Sequence, residues 1–350
     1  MTQPIDDIHG PIIIQAWPGV FKWSAFFFVG RVQHKSVKPE VQKTNLDVIS
    51  AALYALSRSD SVRKVMSATK GSIELATQMW VMEDKGNLPS FANIPTASAA
   101  LDALLKDDNG PALDRVIAAA GGDADNVAQL MLSRLRTSIN STPVYGAPAV
   151  AYLDLVGHLS RAPEHALRHA FLGSNTIALC TKIALSVSKM LNVGNGAPPI
   201  QLDVMVAAFG YLTNCLESTD GFTWVSQSIQ SGLLMAFLDC SPHFSKLDPD
   251  DCDMVLSIVR NILPKYLVYR SVIQAVDGTI RKLGDPLHHQ RIEKSIARNV
   301  WADFHKLAME RYLVTLQAAA MKGKGATCDN VNVGRFLCFI DFGVSTNICL

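Results

Sequence analysis

The chain has 350 residues, 49% of them hydrophobic and 18% charged, with 32 Lys and Arg against 31 Asp and Glu. That length can bury one large core or two ordinary ones, in a globular composition slightly on the apolar side. A net charge of +1 supplies no global pull toward nucleic acid or an anionic membrane, and neither is expected as a partner.

Asp6 and Asp7 stand where a secretory signal would need positive charge. The next segment, "VFKWSAFFFVG" (20–30), is interrupted by Lys22 and far shorter than a membrane span. It predicts an amphipathic or fully buried helix, with Trp17 to Phe28 covering nearly all sides.

From Pro39 to Lys322 apolar stripes recur at helical spacing. "TNLDVISAALYAL", "NTIALCTKIALSVSKML", "IQLDVMVAAFGYLTNCL" and "DDCDMVLSIVRNIL" each place apolar residues at i, i+3, i+4 and i+7. Helix starts are expected at Asp60, at Asp123, and at Asp250 or Asp251. The intervening loops, 85–95, 140–148, 192–199 and 284–286, lack the length and polarity of an inter-domain linker.

Three stretches resemble one another. Each ends a helix, passes through a short helix and a small-residue turn, and reopens on an aliphatic residue. They run from Leu56 to Ile73, from Leu159 to Ile177 and from Leu216 to Leu233, with a weaker copy from Leu263 through Gly278 to Ile280. A unit of long, short and long helix cannot bury both long faces alone, so such units must stack. The expected fold is all-α: an irregular armadillo-like α-solenoid over 11–322, undivided or in two sub-stacks, 11–141 and 147–322. "QRIEKSIARNVWADFHKLAMERYLVTLQAAAMK" predicts one continuous last helix with Ile292, Ile296, Val300, Phe304 and Leu307 on one face. After a glycine–lysine hinge, residues 323–350 form a non-helical stub rich in aromatic and β-branched residues.

Catalytic and metal chemistry needs convergent polar groups, and few patterns offer them. His165 and His169 stand one turn apart, but no zincin glutamate follows and no third ligand is indicated. They predict solvent-facing histidines, and His288–His289 are read as surface. "DPDDCD" (248–253) lacks the glycine and glutamate of a calcium loop, so capping accounts for it. "VGNGAPP" follows a helix and ends in prolines, which a phosphate cradle would not do. Tryptophans 17, 23, 80, 224 and 301 fall on apolar helix faces, which predicts core. The cysteines (180, 215, 240, 252, 328, 338, 349) are odd in number and unpaired in pattern, as in a reducing compartment. An intracellular protein, in cytoplasm or nucleus, is expected.

"AWPGVFKW" (16–23), "LYALSRSDSVRKVM" (53–66), "YLDLVGHLSRAPEHALRHAFL" (152–172) and "MERYLVTLQAAAMKGKGATCDNVN" (309–332) together resemble a large family of fungal proteins. Its members carry a helical N-terminal region followed by a MYND-type zinc finger. The resemblance makes Cys328 the first zinc ligand and implies a second at 333, where this chain has Val333. A MYND finger uses seven cysteines and one histidine, whereas only Cys338 and Cys349 follow Cys328 here, and no histidine. Zinc, the cofactor of full-length relatives, is therefore not expected, and the departure at Val333 suggests a translated intron or misplaced exon boundary. The resulting expectation is a non-enzymatic scaffold that binds other proteins or peptides, without catalytic or cofactor residues. The alternative left open is a transferase or hydrolase with a pocket in the helical stack. The sequence leaves the oligomeric state open.

Overall fold

The computed structural model describes residues 9–83, 94–107, 110–140, 146–192, 199–218, 221–283 and 286–320. The fold is all-α: the described residues contain helices and turns but no strand. The hinge and stub at 323–350, with Cys328 and Val333, lie outside the described residues, as do residues 193–198 of the glycine loop.

Two compact units divide the chain between Ser174 and Asn175, so residues 147–173 fall in the first unit. In the first unit α1 (Gly10–Phe27), continued by a π turn (Phe28–Val32), precedes α2 (Pro39–Ser57), α3 (Asp60–Ala68) and α4 (Ser72–Met82). Then come α5 (Thr96–Leu105), α6 (Pro111–Ala119), α7 (Ala124–Ile139), α8 (Ala147–Leu159) and α9 (Ala166–Gly173). α5 packs against α2, α4 and α8, and α7 against α8 and α9. Its composition explains that central place: Thr96 to Leu101, Leu104 and Leu105 are all buried.

The second unit holds α10 (Thr176–Leu191), α11 (Pro199–Glu217), α12 (Thr223–Gln230), α13 (Leu233–Cys240) and, after a 3₁₀ turn (Ser241–Lys246), α14 (Pro249–Ser257). A second π turn (Ile258–Ile262) leads to α15 (Leu263–Tyr266), α16 (Arg270–Lys282), α17 (Pro286–Glu293) and α18 (Arg298–Ala320). α10 packs on α11 and α13, α16 on α12 and α18, and α17 on α13.

The three resembling stretches share a backbone device. Gly71 (φ +92°), Asn175 (φ +61°) and Gly232 (φ +108°) each adopt the left-handed conformation just before α4, α10 and α13. Glycine and asparagine tolerate that region at least cost. The fourth copy is not formed: α16 runs unbroken through Gly278. Nor is the last helix continuous. α17 ends at Glu293, and Ser295 accepts a hydrogen bond from Ala297 N–H (3.2 Å) before α18 begins. That local bond competes with helix continuation, and it leaves Ile296 exposed while Ile292, Trp301, Phe304 and Ala308 are buried.

Capping differs by a residue or two from expectation at two of three sites. Asp123 caps α7, accepting from Asp125 N–H at 2.8 Å. Ser59, not Asp60, caps α3, and Asp60 instead receives Arg63. α14 follows Asp248, with Asp250 and Asp251 in its first turn. Of the tryptophans, Trp17, Trp80 and Trp301 are core and Trp224 is half-buried, but Trp23 is 65% exposed.

Candidate functional site

Among the charged side chains buried in the first unit are Glu83 and Arg134. Glu83, just beyond α4, accepts hydrogen bonds from the backbone N–H of Ala97 (2.8 Å) and Ser98 (3.3 Å) and from the Ser98 hydroxyl, so it caps α5 from a distance in sequence. Arg134 lies 4.0 Å from its carboxylate, sits over the Trp80 ring, and donates to the carbonyls of Val81 and Glu83. Burial pushes the Glu83 carboxyl above the ordinary carboxylate range, opposed by Ser98, Arg134 and Ala97. Burial likewise raises the Tyr152 phenol, with the Glu83 charge adding to it. The geometry of Glu83 and its partners is that of a structural cap.

The second unit combines charge with a cleft. Asp239 is an acid in the otherwise apolar α13, only 5% exposed. α17 turns His288 and Arg291, at i and i+3, onto it. Arg291 Nη1 donates to Asp239 Oδ1, and His288 Nδ1 stands 3.0 Å from the same oxygen without hydrogen-bond alignment. His243, in the 3₁₀ turn, is buried with neither ring nitrogen hydrogen-bonded. Burial lowers its basicity, and Lys246 and Arg291 lower it further.

Beside this cluster opens a cleft of about 260 Å³. Leu238, Ile280, Leu283, Ile292, Trp301 and Ala302 give it an apolar lining; His288, His289, Glu293, Arg298 and His305 supply its polar part. Trp301 is held between Phe237 and Phe304, at ring separations of 6.5 and 5.8 Å. Arg298 and Glu293 pair at 2.8 Å. Such a cleft can take an apolar side chain and hydrogen-bond the groups around it.

Asp239 and His288 are not aligned as an acid–base dyad. A catalytic imidazole needs an aligned carboxylate behind it and a nucleophile or water position before it. Here Arg291 already occupies Asp239, and no serine, threonine or cysteine lines the cleft.

Among the residues singled out from sequence, His165 is not solvent-facing. It caps α9 through Nδ1, which accepts from Leu167 N–H (3.2 Å), while Nε2 lies 3.2 Å from Asp114 Oδ1. His169 is exposed. His288 is likewise not surface, with its side chain 13% exposed, whereas His289 is exposed. No group of three metal-ligating side chains occurs among the described residues. Cys180, Cys215 and Cys240 are buried, and burial raises the thiols of Cys180 and Cys240 well above their ordinary range. The sequence reading missed the Asp239 cluster, whose one signal was a lone acid in "LLMAFLDC".

Against known proteins, the chain matches no family, no curated protein and no solved structure.

Proposed function

We infer that this chain is a non-enzymatic, intracellular protein-interaction scaffold, an irregular armadillo-like stack that holds a peptide segment of a partner in the cleft between α13, α16, α17 and α18. The observation that carries the reading is the cleft itself, with its aliphatic and indole lining and a mixed-charge set of polar groups around it. Three left-handed turns at matching places in the repeated stretches support the stacked arrangement. The inference from stack to protein binding is an analogy at the level of fold. The resemblance to the MYND-type family points the same way, toward a helical scaffold whose zinc-finger ligands are largely missing from residues 328–350.

The test is selection of peptides on the purified chain from a random display library, followed by titration against Ala302→Trp. Ala302 is an exposed lining residue, so an indole there fills the cleft without entering the core. Selected peptides are expected to bind at least about tenfold more weakly to the variant. Peptides that bind both proteins equally, or a selection that yields none, would remove the cleft from the scaffold's function.

A further inference from the structure

α1 carries a second surface, on the other unit. Its inward face is fixed. Trp17 donates from Nε1 to Thr69 Oγ1 at 2.8 Å, and Trp17, Phe28 and Val32 are buried. A Cβ on Gly71 would lie 3.2 Å from the Phe21 ring, which measures how closely that ring approaches. The outward face is apolar and bare: Ile12 is 65%, Trp23 65% and Phe26 70% exposed, with Phe27 and Val29 beside them. Ile12, Trp23 and Phe26 fall on one stripe of a 3.6-residue helix, opposite Trp17.

Charge identifies what covers this stripe. From Gly10 to Pro39 the sequence contains no Asp or Glu, while Lys22, Arg31, Lys35 and Lys38 are all exposed and His34 stands among them. A near-neutral chain thus concentrates an acid-free basic segment on and just after the one helix among the described residues that is long and apolar enough to span a bilayer. A second copy of the chain fits poorly. A two-fold pairing of the stripe brings the cations of one copy toward those of the other, with no carboxylate on the segment to offset them. An anionic lipid surface fits both features, since aromatic rings settle at headgroup depth while Lys and Arg meet phosphate and carboxylate groups.

We propose that α1 is an interfacial membrane-docking helix, laying Ile12, Trp23, Phe26 and Val29 into the headgroup boundary of an anionic leaflet with Lys22 and Arg31 flanking. This departs from the expectation, drawn from overall charge, that the protein has no membrane partner. Gly10–Val32 is long and apolar enough to cross a bilayer. Crossing would strip Trp17, Phe28 and Val32 from the core, so the helix lies in the interface plane and does not span.

The test is flotation of the full-length chain with phosphatidylcholine vesicles, with and without phosphatidylserine. Trp23→Ser/Phe26→Ser and Lys22→Glu/Arg31→Glu alter exposed side chains only, and far-UV circular dichroism checks that both fold. The wild type is expected to float with the anionic vesicles and far less with neutral ones, with each double variant weakening partition by about tenfold or more. Absence of flotation with anionic vesicles, or flotation indifferent to both variants, would overturn the proposal. So would a wild-type dimer in light scattering that Trp23→Ser/Phe26→Ser converts to monomer, because the occupant would then be a second copy. Crosslinks joining α1 to residues 321–350 of the same chain would overturn it as well.

Discussion

Glu83 and Arg134 illustrate how a buried charge is tolerated only as part of a set. Glu83 satisfies two backbone donors at the start of α5, and Arg134 is 2% exposed against the Trp80 face. Removing one partner strands the other charge in a low-dielectric interior, which typically costs about 3–5 kcal/mol, whereas replacing both costs less. Glu83→Ala is therefore expected to lower the urea midpoint of the first unit severely, and Glu83→Gln/Arg134→Met less than the sum of its single changes. Additive effects would show that the two side chains act separately. His243 makes a different prediction. Its folded-state basicity is depressed below the ordinary value of 6.5 by burial, Lys246 and Arg291. The unfolded chain takes up a proton there that the folded chain resists, so stability falls as pH drops below about 6.5 and levels off beneath the folded pKa. His243→Phe should flatten that part of the stability–pH curve, which midpoints measured from pH 7.5 to pH 5 would reveal. An unchanged slope would assign the acid sensitivity elsewhere.

The turns that open α4, α10 and α13 show what helical periodicity reveals and what it hides. Gly71, Asn175 and Gly232 take φ values that a side chain with a Cβ resists, and at Gly232 an added Cβ would come within 2.9 Å of Leu185 Cδ2. Gly232→Ala is expected to cost about 2 kcal/mol or more, from the backbone conformation and the clash together. Asn175→Gly should stay within about 1 kcal/mol of wild type, because both residues accept this region. Thermal unfolding separates these outcomes, and a harmless Gly232→Ala would mean that the turn can relax. The spacing of these turns was legible because glycine or asparagine recurs at nearly the same distance from Leu56, Leu159 and Leu216. The false fourth copy shows the limit of that signal. Gly278 sits mid-helix, where neighbours on α12 and α18 hold α16 straight despite its glycine. The break at Ser295 was hidden for the converse reason, since an apolar period continued across a residue whose hydroxyl captures the next turn's N–H. The exposure of Trp23 could not be read from one strand of sequence at all. A helix apolar on every side does not announce which side finds a partner.

For the molecule as a whole, the question is whether anything besides packed side chains holds it together. Each unit closes a core from its own helices. In the first, Leu53, Met66, Met79, Trp80 and Leu101 are buried, and Arg115 of α6 grips Glu74 of α4 through two hydrogen bonds of 2.9 and 2.6 Å. In the second, Phe209, Phe237, Phe244 and Ile258 are fully buried, and Thr181 and Ser228 satisfy each other at 3.0 Å. Large apolar cores of this kind owe their stability to area removed from water and need no ion. A zinc-finger domain behaves oppositely, because its metal–ligand energy is its folding energy. Residues 328–350 offer Cys328, Cys338 and Cys349 but no histidine, and Val333 stands where the resemblance to the MYND-type family would imply a second ligand. The chain is thus expected to purify without stoichiometric zinc and to show the same thermal midpoint with and without EDTA. Elemental analysis and a chelator titration measure both quantities on one sample. A midpoint that falls with EDTA and returns with zinc would require those three thiolates to recruit a further ligand, and would place the stability of this chain on a metal that its packed cores do not call for.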